Sequence, residues 1–173
     1  METKISTKFT TATEHGIAIL STLTKEIYKE KFAGLLPAAV VDKHIGDTFN
    51  LNRLISELNS LSNQWIVVYS NEAPAGYAVV TSKGQRPETL RDKKIIRIAE
   101  FGILNKYDDP RIKQSLFEKC LILCKSYETI WINEYAENPF IGFFEANSFL
   151  KQKEVLNHYE LPLPSVYLTK EKV

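Results

Sequence analysis

Reactive side chains are sparse in this 173-residue chain, and their spacing excludes more chemistry than it allows. Cys120 and Cys124 stand four apart in an apolar helical stretch, where small buried side chains are the natural role. A metal site needs more ligands than this pair supplies, and no other Cys or His lies close by, so no metal is expected. His15, His44 and His158 are scattered without partners and suit surface or cap roles. No nucleophile motif, metal cluster or nucleotide fingerprint is present. One charged group is Asp108-Asp109-Pro110-Arg111-Ile112-Lys113. Asp109 before Pro110 reads as an N-cap with proline at the first helical position, which makes this segment the start of a capped helix.

The whole chain must position these few groups. With 44 % apolar and 25 % charged residues it is an ordinary globular composition, long enough for one domain over residues 1–173 with a full core. Twenty-two basic and 21 acidic side chains leave a net charge of +1, so no global field recruits nucleic acid or an anionic membrane. The longest apolar runs, such as Trp65–Tyr69, fall far short of the ~20 residues that span a bilayer. The opening Met1-Glu-Thr-Lys-Ile lacks a basic-then-apolar signal, and a cytoplasmic location is expected.

Periodicity then gives the elements. Lys4–Thr13 alternates loosely and predicts a strand; Thr13 caps a helix carrying Ile17, Leu20, Leu23, Ile27 and Tyr28 that ends near Gly34. Pro37 permits a second short helix to Phe49, and Asn50 caps a third with Leu51, Leu54, Ile55 and Leu58. At Gln64 the apolar period changes from about 3.6 to 2. Trp65–Tyr69 and Ala75–Ser82 read as strands around an Asn71–Pro74 turn, Gly84–Asp92 as a polar loop, and Ile95–Leu104 as a long strand. Ile112, Leu116, Cys120, Leu123 and Cys124 form a helical stripe. Thr129–Tyr135 is a strand, Pro139–Ala146 a short helix, and one or two strands close the chain from Phe149. Strands outnumber simple βαβ alternation. The fold class is α/β in the α+β sense: a mixed, mostly antiparallel sheet of six or seven strands flanked by helices.

That order, together with Ile130-Trp131-Ile132-Asn133-Glu134-Tyr135-Ala136-Glu137-Asn138-Pro139 and Phe143-Phe144-Glu145-Ala146-Asn147-Ser148-Phe149, resembles the GNAT-type N-acetyltransferase superfamily. The family shows a hydrophobic strand, an Asn, and a short helix ending in Phe-Tyr, three residues and Gly-Phe. Phe143-Phe144 stands for the first pair here and Ser148-Phe149 for the second. Trp65–Tyr69 and Pro74–Val80 look like the second and third strands. Tyr28, Phe32, Phe49-Asn50-Leu51 and Leu54 with Leu58 resemble a branch that includes polyamine acetyltransferases.

The resemblance implies that strands four and five splay apart and that acetyl-CoA, the co-substrate, lies along strand four, its amide-bearing arm pairing with the backbone like an added strand. On this chain that places the acyl group near Phe101, Ile103 and Leu104 and the pyrophosphate near Arg111, Ile112, Lys113, Gln114 and Ser115, with Asn138 and Phe144 also in contact. It implies an amine held by Tyr28 and Phe32, in a helical front that also carries Phe49. Arg97 occupies the position of a strand-four glutamate found in some members, so Glu100 is the candidate base, brought round by a bulge near Gly102. The usual tyrosine acid is replaced at Phe144, which leaves Tyr135 as candidate acid or as packing. The family's phosphate loop, Arg/Gln-x-x-Gly-x-Gly/Ala, has become Asp108–Lys113, without either glycine and with Pro110 lacking a donor. Arg111 and Lys113 either offset this by charge-assisted contacts or belong to an ordinary capped helix with no phosphate site. The expected activity is direct acetyl transfer to the amine of a small molecule or peptide. The alternative is a non-catalytic GNAT-fold protein that has lost normal pyrophosphate binding. A homodimer paired through a closing strand such as Val166–Thr169 is a further expectation.

Overall fold

The computed structural model describes residues 2–152 and 161–172; His158 lies outside them. The elements are β1 (Ile5–Phe9), α1 (Glu14–Phe32), α2 (Ala38–Thr48), α3 (Leu51–Leu58), β2 (Asn63–Ser70), β3 (Ala73–Thr81), β4 (Ile95–Ile103), α4 (Pro110–Leu123), β5 (Thr129–Tyr135), α5 (Ile141–Ala146), β6 (Leu150–Lys151) and β7 (Ser165–Glu171). The seven strands among the described residues form one mixed sheet in the order β1-β2-β3-β4-β5-β7-β6. The chain divides into two compact units, one of residues 1–80 and 100–123, the other of 81–99 and 124–173, and β4 passes from the second to the first at Ala99–Glu100.

In the first unit, β1 pairs antiparallel with β2 from Ile5–Ser70 to Phe9–Ile66. The strand predicted over Lys4–Thr13 stops at Phe9 because Thr11 and Thr13 turn the chain into α1: the Thr13 backbone N–H donates to the Thr11 carbonyl, and the Thr13 hydroxyl accepts from the Gly16 N–H at 3.1 Å. Asn50 caps α3 in the same way, accepting from the Arg53 N–H at 3.0 Å. β2 and β3 join through Asn71 and Glu72, both at positive φ (48° and 70°), a two-residue turn tighter than the sequence suggests. Trp65, Ile66, Val67 and Val68 are all buried, so this strand reads as an apolar run where a half-exposed one would alternate. α4 packs on β1 and β2, while α1 packs on α2 and α3.

In the second unit, β5 pairs antiparallel with β7 along its full length, from Thr129–Glu171 to Tyr135–Ser165. The first part of β4 runs parallel to β5 over Ile95–Thr129, Ile96–Ile130 and Arg97–Trp131, and the ladder ends there although β5 continues to Tyr135. The Gly84–Asp92 loop holds a turn of 3-10 helix at Glu88–Leu90, whose Leu90 packs on Ile95 and Trp131. A short turn with one apolar residue leaves no periodicity to read. β7 lies between β5 and β6, with Leu168 and Thr169 paired to Lys151 and Leu150. Of the Val166–Thr169 stretch expected to pair across a dimer, Leu168 and Thr169 are paired with β6 of the same chain.

Candidate active site

β4 beyond the ladder carries the residues expected to receive the co-substrate. Alternation along the strand sets their directions. The Leu104 N–H donates to the Ala75 carbonyl of β3 at 2.9 Å, so Leu104 and Gly102 turn their backbone groups toward β3, and Phe101 and Ile103 turn theirs away from it. Leu104 has thus spent its N–H on β3. Side chains alternate as well: Phe101 meets Phe117 of α4 edge-on at 6.3 Å, and the face shared by Glu100 and Gly102 meets α1. A Cβ on Gly102 would come within 2.5 Å of Ile27 Cγ2. The glycine is there for helix packing; the bulge that was to rotate Glu100 is unnecessary, because Glu100 shares that face by alternation.

Glu100 is met from α1 by Tyr28, whose hydroxyl donates to Glu100 Oε1 at 3.0 Å. Tyr28 is itself enclosed: Phe49 edge-on at 4.5 Å, Phe32 edge-on at 5.5 Å and His44 stacked at 6.0 Å, while Lys31 Nζ lies 5.7 Å from its ring centre. Tyr28 and Phe32, expected to hold the amine, are each only 1 % exposed. They form a packed aromatic wall that presents one hydroxyl to the carboxylate. His44 belongs to this wall and not to the surface role its isolation suggested. Only the helix pairing, which is absent from any local pattern, brings it to Tyr28.

The start of α4 is occupied by its own side chains. Asp109 Oδ1 accepts from the Arg111 N–H at 2.9 Å, and Asp109 Oδ2 accepts from Arg111 Nη2 at 2.8 Å, with Nε at 3.1 Å from both oxygens. The guanidinium and this N–H hold the Asp109 carboxyl below the usual carboxylate range. Arg111 is therefore committed to Asp109, with Glu2 at 3.6 Å on its other side. Ile112 is core at 1 % exposure. Gln114 donates to Glu118 at 3.0 Å along the helix, and the Ser115 hydroxyl shares a 2.7 Å hydrogen bond with Thr7 of β1. Lys113, half-buried, completes this set.

The remaining expected residues lie in the second unit. Tyr135 ends β5 at 5 % exposure, and its phenol is pushed up to about 12, first by burial and then by the carboxylates of Glu134 and Glu137. It stays protonated at neutral pH and is a weak acid, as packing requires. The Asn138 side chain accepts from the Phe140 N–H at 2.8 Å and shapes the approach to α5. Phe144 is 1 % exposed and lies 5.8 Å from both Phe143 and Phe149, an aromatic cluster that seats α5.

No family profile and no curated protein matches this sequence. Solved structures do. The PaiA N-acetyltransferase of Thermoplasma acidophilum, in complex with coenzyme A, aligns with a TM-score of 0.77 at 11 % identity over 98 % of this chain and 99 % of its own. A GCN5-related N-acetyltransferase of Rhodopseudomonas palustris gives 0.72 at 11 % identity over 99 % of both chains. The ribosomal-protein-S18-alanine N-acetyltransferase of Escherichia coli gives 0.64 at 11 % identity over 98 % of this chain and 94 % of its own. At such identities the likeness is one of architecture. The chain has the fold of the GNAT-type N-acetyltransferases.

Proposed function

We propose that this protein is an acetyl-CoA-dependent N-acetyltransferase that passes the acetyl group directly to the amine of a small molecule or peptide. The observation that supports this reading is the end of the parallel ladder at Arg97–Trp131 while β4 runs on to Ile103. An amide-bearing arm pairs with a strand as an added strand does. Acetyl-CoA supplies the activated acyl group. The neutral amine nitrogen attacks the thioester carbonyl carbon; the C–N bond forms, the C–S bond breaks, and the nitrogen's proton passes to Glu100, directly or through water. Tyr28 holds that carboxylate in place through its 3.0 Å hydrogen bond. The departing thiolate takes a proton from solvent, since a phenol near 12 is too weak an acid to serve a thiol of ordinary acidity, about 8.5.

A second reading has its own support. The grip of Asp109 on Arg111, at a helix start without glycine, favours a GNAT-fold protein that binds something other than a pyrophosphate. Thermal melts with acetyl-CoA and CoA up to millimolar concentration separate the two. A ligand at a hundredfold its dissociation constant adds about 2.7 kcal/mol of stability, and a flat melting temperature ends the acetyltransferase reading.

A further inference from the structure

Among the described residues, four buried side-chain polar atoms have no hydrogen-bond partner: Arg97 Nε, Thr129 Oγ1, Asn133 Oδ1 and Ser165 Oγ. Buried polar groups are almost always paired, so an orphan calls for a partner. The strand registers place all four on one face of the second unit. Thr129, Trp131, Asn133 and Tyr135 share a face of β5; Arg97 stands opposite Trp131 on β4, and Ser165 opposite Tyr135 on β7. Arg97 is thus diagonal to both Thr129 and Asn133, and Asn133 is diagonal to Ser165. Diagonal neighbours on a sheet lie about 7–8 Å apart, within reach of one small molecule.

We propose that this face binds an amino acid, free or N-acylated. The Arg97 guanidinium lies 4.7 Å above the Trp131 ring. Stacking uses the flat face of the guanidinium and leaves its edge N–H groups for a carboxylate. Glu171, the acidic residue opposite Thr129, is already paired with Lys93, so it does not compete for Arg97. Asn133, 7 % exposed, offers a carbonyl oxygen, which takes an N–H donor: an ammonium or an amide. Carboxylate at Arg97 and N–H at Asn133 is the pattern of an α-amino acid spanning one diagonal step. Thr129 and Ser165, each 1 % exposed, extend the row at its two ends with hydroxyls that suit a polar substituent. Residues 82–94 cover the Arg97 end. A Cβ on Gly84 would sit 3.0 Å from Arg97 Nη1, and the Thr89 and Tyr167 hydroxyls share a 2.9 Å hydrogen bond.

The test uses the full chain and needs no acetyl transfer, so it is independent of the activity proposed above. The twenty amino acids, their N-acetyl derivatives and their C-terminal amides are titrated by thermal shift, and hits are measured by calorimetry. At least one free or N-acetylated amino acid is expected to bind, with its amide at least tenfold weaker; the two series show which form is preferred. Arg97→Met and Asn133→Leu should each weaken the hit tenfold or more. Asn133→Leu should also melt no lower than wild type without ligand, because it removes an unpaired acceptor. Should Arg97→Met fail to fold, Asn133→Leu and Ser165→Ala carry the test. No shift with any of the probes, equal binding of the amides, or unchanged affinity in Asn133→Leu overturns the proposal.

Discussion

Asp109 holds Arg111 by both its backbone N–H and its guanidinium, so one carboxylate occupies the start of α4. Replacing it separates stability from binding. Asp109→Ala should lower stability, as loss of a side chain bonded to a first-turn N–H does. The same change should strengthen CoA binding severalfold, since it removes a negative charge and frees a cation. Denaturant melts and calorimetry with CoA check both halves. The Arg111 guanidinium and N–H hold the Asp109 carboxyl below its ordinary value, so its contribution is present above the usual carboxylate range and fades as pH falls through the lowered folded value.

Glu100 and Tyr28 give the kinetic prediction. Glu100→Gln keeps a hydrogen-bond acceptor for the Tyr28 hydroxyl but cannot take a proton, so kcat should fall about 10²–10⁴-fold with little change in KM. Tyr28→Phe should lower kcat less and cost about 1 kcal/mol of stability through the lost hydrogen bond. Steady-state kinetics across pH, with melts of both variants, read this out.

Ser148 lies at φ +69°, a left-handed conformation that disfavours a side chain. It stands where the GNAT pattern has glycine, and the backbone explains that preference. Ser148→Gly should stabilise the protein by about 0.5–1 kcal/mol, the relief of strain exceeding the added freedom of the unfolded chain. A melting temperature higher by about 2–4 °C per kcal/mol is the expected reading.

High pH should unfold the protein earlier than its carboxylates would suggest. Burial raises the Cys124 thiol from 9.0 to about 12, and Tyr135 rises from 10.0 to about 12. Both groups stay protonated in the fold while the unfolded chain ionises. Stability therefore holds below about pH 9 and declines from there to about 12, by a few kcal/mol in all. Urea melts at pH 7, 9 and 11 measure the decline, and Cys124→Ala should flatten its first part.

Much of the architecture is local and was legible without coordinates. The helices capped by Thr13 and Asn50, the strands from Trp65 onward and the capped start of α4 all follow from periodicity and turn chemistry acting over a few residues. What needed the tertiary structure joins residues far apart in the chain. Tyr28 reaches Glu100 across 72 positions, and His44 joins them only because α1 packs on α2. The alignment of Arg97, Asn133 and Ser165 on one face depends on the registers of three strands, which no single strand encodes. Local sequence specifies each element because caps and periods act within a turn or two. The partner of a buried polar atom is decided by whichever element arrives beside it, and that is settled only when the sheet is assembled.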